Sequence, residues 1–138
     1  MKKWRMILGL TTLLVSTGCS THSIMLIKDK TTFIPSGTQR YPAHTNRVFI
    51  TQSPLPLNIK AHVIGRVDAG TVMYNAPHIV YCRMAEKARE NGADAIVDAK
   101  TWFQPCGWSW AAPHGKGTVI KLLEGSADDV SWPKGEWY

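Results

Sequence analysis

Between Ile59 and Phe103 the hydrophobic period changes twice, and few folds accommodate such a succession. Ile59, Ala61, Val63, Gly65 and Val67 alternate with Lys60, His62, Ile64, Arg66 and Asp68, which predicts a half-buried strand ending at Ala69-Gly70. Val80, Met84 and Ala88 then repeat at i+4 with Tyr81 and Ala85 beside them, the spacing of one helical face. Asn75 can cap this helix, Pro77 stands where a missing N–H costs least, and Asn91-Gly92 can end it. Ala95, Val97, Ala99, Thr101 and Phe103 next alternate with Ile96, Asp98, Lys100 and Trp102, so a second strand lies back along the helix. A strand-helix-strand unit of this kind must bury the helix's apolar stripe on a sheet.

Two further strands complete the expectation. Val48, Phe49 and Ile50 precede the breaker run Ser53-Pro54-Leu55-Pro56, and a last strand runs near Gly117 to Glu124 with Ile120 and Leu122 facing inward. The predicted fold is α+β, in the order β-β-α-β-β, with one helix packed on a small sheet over residues 47–125. Residues 19–46 carry Thr, Ser, Lys and two prolines, interrupted by Ile24-Met25-Leu26-Ile27 and Phe33-Ile34, and read as a tether with one short edge strand. Residues 126–138 read as a tryptophan-containing tail.

The N-terminus carries an address. Met1-Lys2-Lys3-Trp4-Arg5 is basic, Met6 to Val15 is mainly apolar, and Ser16-Thr17-Gly18 is a small-residue cleavage site. Ten helical residues cover about 15 Å, half the hydrocarbon thickness of a bilayer, so this is an export signal and not a span. Ser16-Thr17-Gly18-Cys19 resembles the lipobox of bacterial lipoproteins, with Ser16 standing where leucine is commonest. The resemblance implies cleavage after residue 18, diacylglycerol on the Cys19 sulfur and a membrane partner through that lipid. Ser20 in place of aspartate implies an outer-membrane address with the domain facing the periplasm.

Cleavage also changes the meaning of the charge. The whole chain is +6, but Lys2, Lys3 and Arg5 belong to the signal, so a mature chain of about 120 residues carries 13 basic against 10 acidic groups. No lysine/arginine stripe remains to neutralise a row of phosphates, which argues against nucleic acid as a partner.

From Val48 to Leu123 the segments Ile64-Gly65-Arg66-Val67, Lys87-Ala88-Arg89-Glu90-Asn91-Gly92-Ala93-Asp94-Ala95-Ile96-Val97 and Gly115-Lys116-Gly117-Thr118-Val119-Ile120-Lys121-Leu122 stand in order. This layout resembles the small YbjQ-like domain, and is similar to the periplasmic domain of RcsF-type outer-membrane lipoproteins. The resemblance implies a non-catalytic module that interacts with envelope proteins or senses envelope stress. YbjQ-like relatives also assemble as rings, so the resemblance adds a homo-oligomer to the expected partners. The RcsF-type core holds two disulfides, whereas only two cysteines remain here after Cys19.

Those two, Cys82 and Cys106, admit three readings. An oxidising compartment favours a Cys82–Cys106 disulfide, whose loop of about 25 residues would stabilise the fold by ~3.5 kcal/mol in the chain-entropy model. An unbroken strand would carry Cys106 past Cys82, so the bond requires the chain to turn back at Pro105-Cys106-Gly107. Alternatively His78 and Cys82, spaced i, i+4, join Cys106 and His114 as a Cys₂His₂ set for zinc, although no compact C-x₂-C pair is present. A Cys82–His78 nucleophile is the third reading, and no orienting acid or oxyanion loop accompanies it. Otherwise no cofactor beyond the Cys19 lipid is expected.

The aromatic residues are unevenly placed. Trp102, Trp108, Trp110, Trp132 and Trp137 all follow residue 101. The stretch Gln104 to Gly117 reads as an exposed loop in which Trp108 and Trp110 offer large amphipathic area to a partner. The competing reading packs these two indoles over the open sheet face and lays the C-terminal tail along an edge strand.

Overall fold

The computed structural model describes residues 20–138. The signal segment and Cys19 lie outside the described residues. Strands β1 (Lys30–Pro35), β2 (Phe49–Thr51) and β3 (Ala61–Gly70) precede helix α1 (Pro77–Glu90). Strands β4 (Ala95–Cys106) and β5 (Ser109–Leu122), a 3₁₀ turn (Ala127–Asp129) and β6 (Gly135–Trp137) follow it. The strands form one sheet in the order β1-β3-β5-β4-β2-β6, antiparallel throughout except for the β2–β4 pair. The predicted β-β-α-β-β is the run from β2 to β5. To it the segment read as a tether adds the edge strand β1, and the tail adds the opposite edge β6.

Helix α1 forms where its period places it. Val80, Met84, Ala85 and Ala88 are buried against the sheet with Ile64, Val67, Ile96 and Val119. Its N-cap is Ala76 rather than Asn75, whose side-chain oxygen accepts instead from the Ala76 N–H. Gly92, at φ +74°, ends it as expected. The helix lies so close to β5 that a Cβ on Gly115 would meet Val80 Cγ1 at 2.6 Å, and one on Gly117 would meet Ile96 Cγ2 at 2.4 Å. Glycines here let helix and sheet approach.

The C-terminal residues cover one end of the other sheet face. Phe49, Ala95, Val97 and Ile120 form a second cluster, closed by Leu55, Trp132 and Trp137. Trp132 stacks on Phe49 at 4.9 Å and Trp137 meets it edge-on at 5.1 Å. The C-terminal residues therefore build core and close an edge, so they are not a separate tail.

Three predicted patterns are corrected. In β4 the alternation breaks at Asp98, φ +51°, where the register to β5 shifts, so Ala95 and Val97 join the second cluster while Ala99 packs with Ile96 on the helix side. The alternation in β3 is interrupted by an irregularity between Val63 and Gly65, which leaves Val63 exposed and buries Ile64. The expected loop from Gln104 to Gly117 is instead the continuation of β4 and β5 into a long hairpin. Pro113 sits inside β5 opposite the end of β3. Thr71 N–H donates to its carbonyl, and the reciprocal bond that proline cannot make falls one residue past Gly70, where β3 ends.

Candidate functional site

The β4–β5 hairpin turns at Gly107-Trp108, and Gly107 takes φ +42°, a conformation that side chains other than glycine's strain to adopt. Its N–H donates to the Ile24 carbonyl at 2.8 Å, and a Cβ at this position would lie 2.8 Å from the Leu26 carbonyl oxygen. Residues 20–27 thus cross the hairpin end in close contact. Leu26 is buried with Cys106 and Ala112, the Cys106 thiol points at the Ser23 and Leu26 carbonyls, and Gln104 Nε2 donates to the His22 carbonyl at 2.7 Å.

What this packing leaves outside is apolar. Trp108 and Trp110 are 79% and 89% exposed, and Ile24, Met25 and Ile27 are 67%, 74% and 82% exposed. Five large apolar side chains are thus exposed on the end of the β4–β5 hairpin and on the strap bonded to it. Single exposed apolar residues are ordinary, whereas a contiguous group marks a contact surface. The structure therefore places Trp108 and Trp110 in solvent and not over the sheet face. It adds Ile24, Met25 and Ile27, whose sequence signal was the apolar run inside an otherwise polar segment.

A second constellation lies behind this end, on the sheet face away from α1. His114 pairs with Trp102 across β4–β5, and Asp68 pairs with Lys116 across β3–β5, so their side chains share that face. The strap brings His22 onto it. His22 Nδ1 lies 3.0 Å from His114 Nδ1, and His22 Nε2 lies 3.9 Å from Asp68 Oδ2. Asp68 accepts a forked pair of bonds from Arg66, both 2.9 Å. Burial holds His114 down to about pH 4, with the neighbouring His22 adding to the shift and the Thr71 backbone opposing it. His22 is lowered chiefly by burial, against the pull of Asp68. Both rings are therefore neutral at neutral pH, and the pair works as a clasp between strap and sheet.

The expected cysteine pairing does not form. Cys82 is exposed on α1, Cys106 is buried under Leu26, and both are free thiols. Strand β4 continues to Cys106 and the hairpin turns into β5 rather than back towards the helix. The four residues of the Cys₂His₂ set are not brought together either. His78 and Cys82 are exposed on the helix, while His114 faces the opposite side of the sheet from α1 and spends its Nδ1 on His22. Among the described residues no three His, Cys, Asp or Glu side chains converge as metal ligands would. His62 is held by the Tyr41 hydroxyl at 2.9 Å.

A groove of about 290 Å³ lies beside α1 at the β2–β6 edge, lined by Ile50, Gln52, Ser53, Tyr81, Glu136 and Tyr138 among others. Tyr138 donates to Glu136 there at 2.7 Å, and burial raises its hydroxyl pKa. Among the described residues no helix is long and apolar enough to cross a membrane. Comparison with family models, with curated proteins and with solved structures finds no match.

Proposed function

We propose that this chain is a non-catalytic lipoprotein of the outer membrane, held by acyl chains on Cys19, whose periplasm-facing domain acts as an envelope interaction module. The observation that carries this reading is the exposed apolar platform of Trp108, Trp110, Ile24, Met25 and Ile27. It stands at the end of the fold where the strap emerges, next in the chain to the lipobox-like Ser16-Thr17-Gly18-Cys19. Aromatic side chains presented on a rigid element offer large contact area at small entropic cost. The YbjQ-like layout read from the sequence agrees with a module that binds rather than reacts.

Photo-crosslinking in the intact envelope tests this. A photoreactive amino acid in place of Trp108 or Trp110 should form adducts with a membrane component. The same probe at Lys60 or Glu124, exposed at the far end of β3 and β5, should not. Equal labelling at all four positions would contradict the reading.

A further inference from the structure

We infer that the platform of Trp108, Trp110, Ile24, Met25 and Ile27 seats on the phospholipid surface of the membrane that holds Cys19. This rests on the lipid-anchor reading and names the occupant of the same surface. Length decides between lipid and protein. Ile24 is five residues after Cys19, so even a fully extended chain keeps it within roughly 17 Å of the acylated residue. The Gly107–Ile24 hydrogen bond carries the hairpin end along with it. A folded domain of 100 residues has a radius of gyration of about 13 Å and a thickness near twice that. No such domain fits between the platform and the bilayer.

The chemistry of the platform agrees. An indole has an apolar body and one N–H, the combination that settles at the headgroup boundary of a bilayer, while Ile and Met extend into the acyl region. Lys28, exposed just after Ile27, suits anionic headgroups. The nearby carboxylate of Asp29 is neutralised by Arg83 and accepts the Val72 N–H, so it does not oppose an anionic surface. Seated this way, β4 holds the β2–β6 edge and its groove as much as ~40 Å from the platform, on the side facing the periplasm.

The test uses the lipoprotein purified from membranes. Its mass establishes the acyl chains, and it is then reconstituted in phosphatidylethanolamine/phosphatidylglycerol vesicles with brominated acyl chains. Trp108 and Trp110 are two of five tryptophans after Cys19, so bromine should quench up to about two fifths of the emission. Bromine near the headgroup should quench more than bromine deep in the chain. Trp108→Ala/Trp110→Ala should abolish the bromine-dependent part, and the depth comparison in the unaltered protein stands without that variant. An acylated protein whose emission ignores bromine overturns the proposal and leaves the anchor reading intact. So does one whose emission shifts only when solubilised envelope proteins are added. A protein without acyl chains overturns the anchor reading, and the proposal falls with it.

Discussion

The Nδ1 atoms of His22 and His114 lie 3.0 Å apart, a separation that one shared proton bridges and two cannot. His22 belongs to the strap of residues 20–27, and His114 to the centre of β5, so this contact joins the N-terminal strap to the sheet. Burial depresses both rings, and Arg66 and Lys116 beside them further disfavour a second positive charge on His22.

Acid should therefore loosen the strap. A histidine with a folded pKa below its unfolded value binds more protons when unfolded, so stability is complete above about pH 6.5. It then falls as pH drops towards the His114 value of about 4. The loss should approach about 3 kcal/mol at the acid end. Urea midpoints at pH 7 and pH 4.5 should differ in the unaltered protein and differ much less in His114→Asn. Parallel midpoints for the two proteins would remove the clasp from the account.

Met84 is fully buried between α1 and the sheet floor at Gly115 and Gly117. Met84→Ala should cost about 2–4 kcal/mol, and Met84→Leu under about 1.5 kcal/mol, measured by denaturant unfolding. A cost near zero for the alanine variant would mean that the helix does not pack on this face.

Cys82 and Cys106 should react as two unlike free thiols. Cys82 is exposed, whereas Cys106 is buried and burial raises its pKa, so a thiol reagent should modify Cys82 first. Denaturation should bring Cys106 to the same rate. Non-reducing denaturation that yields no free thiol would restore the Cys82–Cys106 disulfide and contradict the observed course of β4.

Much of the fold was legible because α1 carries an unbroken period and β3 and β4 keep theirs over most of their length, and a half-buried element can be read from its buried half. The same logic failed where local geometry departs from the period. An irregularity between Val63 and Gly65 exchanges the exposure of Val63 and Ile64. In β5, Pro113, Gly115 and Gly117 are breakers by composition, yet two of them are small to admit the helix and the third lies where β3 has ended. The platform was half legible. Trp108 and Trp110 stood out by composition, while Ile24, Met25 and Ile27 join them only through hydrogen bonds from residues more than 80 positions away. Nothing in the spacing of His22 and His114 announces their contact, because it depends on the strap folding back over the sheet.

The proposed function requires acylation of Cys19, and the intact mass of the mature protein extracted from membranes tests it most directly. The account predicts a chain that begins at Cys19 and carries a diacylglycerol on sulfur and a further acyl group on its new amino terminus. A mature chain that begins at another residue, or at an unmodified Cys19, would contradict it.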